Sequence, residues 1–382
     1  MSEANWNSLP RWSVPFNWRA FWRKNYYLLR HGAEVGPRLG RMATLVALYG
    51  VNQVGWAVDQ VLSPNWSSVG LKGPVFIIGH QRSGSTFLHR ALARDPNALA
   101  LDLQQMLMPS VSGQRVWRAI FRPGSRPERW LARTQERRLG ELDSIHRIRL
   151  DSIEEDEFLL FAVYRSGMAV NSTPAVAADP RLNRLRDYPS WGEHDRRIAL
   201  EWYHACLLKA AYRAEVVAAN PNRWIVGKNP AFSQRIPDLL KVFPGAKFIN
   251  LVRDPLEAIA SRLSLVRAIW KLRSPDVGEM GAAEVEEIVK DSERTYALAI
   301  RDLADMPPEA AITIQFEDLA SQPAAVLKEI YRQLRLPGAP APLPDRRDDA
   351  VGTAHEYSLA EFGLSEDGLR RRFAAVIETY GF

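Results

Sequence analysis

Short apolar runs, each closed by polar residues, recur through the chain from residue 74 onward. They occupy 74–79 (PVFIIG), 224–227 (WIVG), 247–252 (KFINLV) and 311–316 (AITIQF). Apolar runs of this length predict strands buried on both faces. Between them, apolar residues return at three- and four-residue steps over 86–94, 198–218, 233–242, 256–272 and 324–334, which predicts helices. Strands alternating with helices predict an α/β fold in three layers, a parallel sheet flanked by helices. In such sheets ligands bind beyond the carboxyl ends of the strands, where each of these runs deposits its polar residues.

The first seventy residues follow another pattern. Tryptophan stands at 6, 12, 18, 22, 56 and 66, and 18–30 mixes Trp, Phe, Tyr and Leu with Arg and Lys, as an interfacial helix does. The segment 42–58 (MATLVALYGVNQVGWAV) carries no charge. Its length sits at the lower edge of a membrane span, and Asn52 and Gln53 lie within it, so a half-buried or interfacial helix is expected rather than a span. Pro64 and Gly70 then punctuate the chain. The expected division is an extra helical, aromatic-rich N-terminal element over 1–72 and a large α/β domain over 73–382. Between 115 and 138, arginines at 115, 118, 122, 126, 129 and 133 alternate with Trp117 and Trp130, while Pro123, Gly124 and Pro127 break any single helix. A solvated basic surface is the expected reading there. The Pro-rich stretch 337–344 predicts a loop before a polar C-terminal tail.

Charge and cysteine content narrow the picture. Lys and Arg exceed Asp and Glu by 50 to 44, a net charge of +6. That balance suits an anionic ligand, an anionic membrane or nucleic acid without choosing among them. The single cysteine, Cys206, excludes an intramolecular disulfide and argues against a zinc cluster. The first thirty residues carry Trp, Asn, Pro and Arg where a signal peptide has its apolar core, so a cytoplasmic location is expected.

The chemistry begins at Gly79-His80-Gln81-Arg82-Ser83-Gly84-Ser85-Thr86. A glycine-bearing loop between a strand and a helix presents several backbone N–H groups to one anion, with the helix dipole behind them. The pattern is close to G-x-x-x-x-G-K-[ST], but Ser85 stands where the lysine belongs and the cation is Arg82 inside the loop. ATP enzymes place that lysine on the β- and γ-phosphates beside a metal. A donor with a single 5′-phosphate bearing a sulfuryl group has no γ-phosphate to hold.

Residues 74–96 (PVFIIGHQRSGSTFLHRALARDP) resemble the 5′-phosphosulfate loop of the sulfotransferases that use 3′-phosphoadenosine 5′-phosphosulfate (PAPS). The likeness is to the bacterial branch whose loop reads R-S-G-T-T, with Ser85 in place of its first threonine. The resemblance implies a P-loop nucleotide-binding-like fold, a catalytic domain over 73–382, PAPS as donor and no metal. It implies that Arg82, Ser83, Gly84, Ser85, Thr86 and Phe87 bind the 5′-phosphosulfate. Leu251-Val252-Arg253-Asp254-Pro255 followed by Ser261 resembles the family's 3′-phosphate site, which assigns Arg253 and Ser261 to that phosphate. Gly227-Lys228-Asn229-Pro230 is similar to a K-x-P segment whose lysine meets charge on the donor's bridging oxygen. Phe232 stands where relatives often have His, and Phe316 replaces the tyrosine of a Y-E-D-L segment.

A hydroxyl or amine acceptor must give up a proton, so a base is expected near the sulfur. Asp102, after the first helix, and Glu155, in the acidic run Glu154-Glu155-Asp156-Glu157, are favoured over His80, His89 and His146. The function expected is sulfuryl transfer to a lipid, glycolipid or other amphiphilic alcohol. Residues 1–65 would touch a membrane surface from the cytoplasmic side as a peripheral element, and no nucleic-acid partner is expected. The rival readings are a P-loop kinase or NTPase, disfavoured by the absent lysine, and a non-catalytic, membrane-associated anion-binding protein.

Overall fold

The computed structural model describes residues 12–31, 35–71, 73–139, 149–171, 180–214, 223–273, 280–343 and 358–382. Two compact units divide the chain: Met1–Leu71, Leu101–Ala169 and Gly192–Pro221 form one, and Lys72–Ala100, Val170–Trp191 and Asn222–Phe382 the other. The N-terminal segment thus shares its unit with two later stretches of the chain.

The second unit contains a parallel sheet. Strands β1 (Val75–Gly79), β2 (Ala98–Leu99), β3 (Trp224–Lys228), β4 (Lys247–Val252) and β5 (Ala311–Gln315) lie in the order β2-β3-β1-β4-β5. Four of them are the apolar runs; β2 spans two residues, too few to leave a pattern. Every residue of β1 and β3 is buried, whereas the edge strand β5 alternates. Side chains of β1 divide between the two faces, as a two-residue period requires. Val75 and Ile77 join Leu88, Leu92, Ile249, Leu327 and Ile330 in one apolar layer, beneath the helices Ser85–Leu92 and Pro323–Gln333. On the other face, Phe76 meets Phe232 at 5.5 Å and Phe248 at 5.8 Å. From β1 the chain passes to one edge of the sheet, and from β4 to the other. The connections therefore diverge at the β1/β4 pair, where open parallel sheets form their ligand crevice.

Two parts of this unit were not expected. The helix Ala282–Leu303 buries Val285, Ile288, Val289, Tyr296 and Ala299, a helical spacing that polar Ser292 and Thr295 interrupt. The C-terminal tail, expected to be a polar extension, contains the helices Glu366–Arg372 and Ala374–Tyr380. Their Leu369, Phe373 and Val376 close a second apolar cluster with Leu256, Ile259 and Leu263. Burying those few side chains, each worth about 1.5–3 kcal/mol, is reason enough for so polar a segment to dock.

The first unit is helical. Helices Trp18–His31, Val35–Leu62 and Glu193–Tyr212 are joined by Val111–Ile120 and Arg126–Leu139, with the break between the last two falling at Pro123 and Gly124. The uncharged segment 42–58 is half-buried, as expected. Asn52 donates to the Leu107 carbonyl at 2.8 Å, and Gln53 donates to the Trp12 carbonyl at 2.8 Å. Among the described residues no helix is long and apolar enough to cross a membrane. Trp56 and Trp66 are buried, and the Lys209 ammonium lies 4.0 Å and 4.4 Å from their ring centres. Lys209 also pairs with Asp59 at 2.6 Å, both side chains fully buried. Asp59 accepts the N–H groups of Val111 at 2.8 Å and Ser112 at 2.7 Å, which begin the helix Val111–Ile120. Burial lowers the Lys209 pKa, and Asp59 opposes that shift.

One pair thus ties three helices together. Removing a single partner of a buried pair leaves an uncompensated charge, at a cost of about 3–5 kcal/mol. Lys209→Met should lose that much in urea unfolding, and Asp59→Asn added to it should recover part. A loss below about 1 kcal/mol in the single variant would show that the pair is not what joins these helices.

Candidate functional site

The loop after β1 is shaped by its backbone. Gly79 has φ +117°, and a Cβ there would lie 2.0 Å from the Leu251 carbonyl oxygen of β4. Gly84, at the N-terminus of the helix Ser85–Leu92, has φ +82°, and a Cβ there would press on the Phe316 ring at 2.9 Å. Arg82 between them has φ 70°, a left-handed conformation that costs a non-glycine residue roughly 1–2 kcal/mol. Two hydrogen bonds offset that strain. Arg82 Nε donates to Ser261 Oγ at 3.0 Å, and an Arg253 guanidinium N–H donates to the Arg82 carbonyl at 3.3 Å.

This arrangement refines the sequence reading. The sequence assigns Arg82 to the loop as its cation; its side chain also reaches Ser261, on the helix Pro255–Arg273, and its backbone meets Arg253, just after β4. Ser261 lies nearly two turns into that helix, and Arg82 is what brings it together with Arg253. The Arg253 guanidinium also stands 4.4 Å from the centre of the Phe316 ring, a cation–π contact that needs no tyrosine hydroxyl. Phe232 is a core residue against Phe76.

The other loop residues divide between anchoring and display. Ser85 opens the helix and is buried, and Phe87 packs against the apolar layer below. The Ser83 hydroxyl is buried with no hydrogen-bond partner among the described residues. An orphaned donor inside a turn of N–H groups fits an anionic ligand better than a closed turn. Lys228, the last residue of β3 and 1% exposed, donates from Nζ to Thr86 Oγ1 at 3.1 Å. An amine thus reaches the Thr86 hydroxyl from a neighbouring strand.

Two residues escaped the sequence reading. Glu257 forms an ion pair with Arg253 at 2.6 Å, four residues along, a spacing the sequence displays. Tyr296 donates to the Arg253 carbonyl at 2.9 Å and stacks on the His80 ring at 5.0 Å. It belongs to the helix that was not predicted.

The candidate bases have different settings. Asp102 caps the helix Leu103–Leu107, accepting the Gln105 N–H at 2.7 Å. Burial raises its pKa, and the Gln105 N–H opposes that shift. A backbone bridge pairs Asp102 with Ile153, two residues before Glu155, so both candidates stand in one region of the first unit. The acidic run is not a solvated helix start: Glu154, Asp156 and Glu157 are buried, with Glu155 half-buried. His146 lies outside the described residues. The His80 ring has Ser292 Oγ at 2.9 Å and the Gln81 carbonyl at 2.6 Å, and burial, then Arg262, pushes its pKa down to about 3. His89 is likewise pushed down to about 3, by burial and then Lys228.

A sequence model described as the sulfotransferase family matches residues 74–340. The chain belongs to the sulfotransferase family. It is an enzyme of that family, which sets aside the NTPase and non-catalytic readings. Among its relatives are proteins of Mycobacterium bovis and Mycobacterium tuberculosis, each named omega-hydroxy-beta-dihydromenaquinone-9 sulfotransferase Stf3. Each is 25% identical over 318 residues, which cover 81% of this chain and 75% of theirs. Two solved structures share the fold. Sulfotransferase STF1 from Mycobacterium tuberculosis H37Rv is similar with a TM-score of 0.65 at 20% identity, covering 93% of this sulfotransferase and 92% of STF1. STF9 from Mycobacterium avium gives 0.65 at 19% identity, with 96% and 97% covered.

The two buried histidines give this sulfotransferase a pH signature. An unfolded histidine takes up a proton near pH 6.5, whereas His80 and His89 resist it until about 3. Stability should therefore be fully present above 6.5 and fall as the pH drops toward 3. Neither imidazole should titrate by NMR between pH 5 and 8. Titration of both rings near 6.5 would contradict the burial described here.

Proposed function

We propose that this sulfotransferase takes its sulfuryl group from PAPS and transfers it to the hydroxyl of an amphiphilic, lipid-type alcohol. The observation that carries the donor half is the contact of Lys228 with Thr86 at the mouth of an anion-binding loop. The acceptor half is supported by the relatives named for a hydroxylated menaquinone.

PAPS, when bound, supplies the sulfuryl group and a leaving phosphate. The N–H groups of residues 82–87 and the Ser83 hydroxyl hold the 5′-phosphosulfate. Arg253 and Ser261 hold the 3′-phosphate, which displaces Glu257 from Arg253. Arg82, already bonded to Ser261, lets each anion's contacts steady the other's. Lys228 meets the charge that grows on the bridging oxygen as its bond to sulfur breaks and the acceptor oxygen forms the new one. The acceptor's proton passes to Glu155 or Asp102. Burial raises the Asp102 pKa, which favours proton uptake there.

Incubation of the protein with PAPS and a detergent-dispersed hydroxylated isoprenoid quinone should give a product heavier by one sulfuryl group in mass spectrometry. Transfer confined to water-soluble sugars or phenols would overturn the acceptor class. Lys228→Ala should lower kcat by ~10²-fold or more, with little change in the affinity for adenosine 3′,5′-bisphosphate. The reverse pattern would make Lys228 a ground-state binding residue.

The base is separated by isosteres. Asparagine is also a good helix cap, so Asp102→Asn keeps the fold while removing basicity. Of Asp102→Asn and Glu155→Gln, the one that abolishes transfer without weakening nucleotide binding identifies the base. Near-normal rates in both would place it elsewhere.

A further inference from the structure

The helix Val35–Leu62 is buried along one side and exposes apolar residues along the opposite one. One side carries Asn52, Trp56 and Asp59 into the first unit. Along the other, Leu39, Val46, Val54 and Val61 are exposed, with Ala43, Gly50 and Ala57 at the intervening turns. The steps of three and four residues keep them on one line, roughly 33 Å long at 1.5 Å per residue. Val54 and Val61 are 65% and 70% exposed. A second exposed stripe lies on the helix Trp18–His31, where Trp22, Tyr26 and Leu29 follow at i, i+4 and i+7. The two helices meet at Trp18, whose ring is 4.9 Å from Tyr49 of the longer helix and 6.4 Å from Trp22.

The charges around these stripes are predominantly positive. Between residues 12 and 62 the basic residues are Arg19, Arg23, Lys24, Arg30, Arg38 and Arg41. The acids of that stretch are Glu34 and Asp59, and Asp59 is buried against Lys209. A two-fold pairing of this face with a second copy would set arginine against arginine. Anionic headgroups would neutralise the same arginines, and exposed Trp and Tyr bordered by Arg suit the depth of the headgroups.

We infer that this face lies on an anionic lipid bilayer, with the helix Val35–Leu62 in the plane of the surface. It rests on the reading of the acceptor as amphiphilic and names the place where such a molecule is met. The helix lies on the bilayer rather than across it, because its other side is fixed in the protein by Asn52, Gln53 and Asp59.

The test is flotation of the full-length protein with vesicles of phosphatidylcholine alone or mixed with phosphatidylglycerol. The wild type should float with the mixed vesicles at low salt, and sink as salt rises. The double variant Val46→Glu/Val54→Glu, altered only at exposed positions, should keep its thermal midpoint and lose binding by more than about tenfold. Arg19→Gln and Arg30→Gln should each weaken it by roughly fivefold. Failure of the wild type to float, or flotation unchanged in these variants, would overturn the inference. So would a dimer in light scattering that the double variant dissociates while vesicle binding is absent. Transfer to the detergent-dispersed alcohol needs no bilayer. Lost flotation with transfer intact would therefore sink the docking face alone, and flotation without transfer would sink the acceptor reading.

Discussion

The close approach of the β1 loop to β4 is the constraint on which the rest of the site depends. At Gly79 the backbone passes so near the Leu251 carbonyl that a Cβ would lie 2.0 Å from it. That contact is what allows Arg82 to reach Ser261 and Arg253 to reach back to Arg82. The left-handed conformation of Arg82 is unfavourable in isolation, and the two hydrogen bonds make it the stable choice here. A loop held this way has its backbone fixed in advance, so a ligand there would need less ordering on binding.

Two further cations that touch the loop come from different elements. Lys228 closes β3 and Arg253 directly follows β4, on either side of β1. This follows from the strand order, since the parallel neighbours of β1 deposit their terminal side chains beside its loop. A nucleotide-triphosphate site places its lysine in the loop itself. Here the loop position is Ser85, and the amine enters from the side and meets Thr86. The difference suits a reaction in which charge develops on the oxygen bridging phosphate and sulfur.

Much of this was legible in the sequence, for a physical reason. Strands buried on both faces must be continuously apolar, so β1, β3 and β4 are visible as runs, and the polar residues that end them mark the site. Segments whose structure is decided by distant partners were less visible. The helix Ala282–Leu303 carries Ser292 and Thr295 inside its buried stripe because Ser292 serves His80 and Thr295 serves Gln234. The C-terminal helices are mostly polar and dock through a few apolar side chains. Asp59 and Lys209 lie 150 residues apart, so their pairing has no local signature. The acidic run around Glu155 is four consecutive acids, and the sequence does not show that three of them are buried.

Binding of adenosine 3′,5′-bisphosphate, followed by titration calorimetry, tests the shared anion site most directly. The bisphosphate should bind one to one, and adenosine 5′-monophosphate more weakly by at least about tenfold, since a charge-assisted contact is worth about 1.5–3 kcal/mol. Ser261→Ala should narrow that gap, because Ser261 joins Arg82 to the 3′ side. Equal affinity for the two nucleotides, or tighter binding of ATP with Mg²⁺ than of the bisphosphate, would contradict the account.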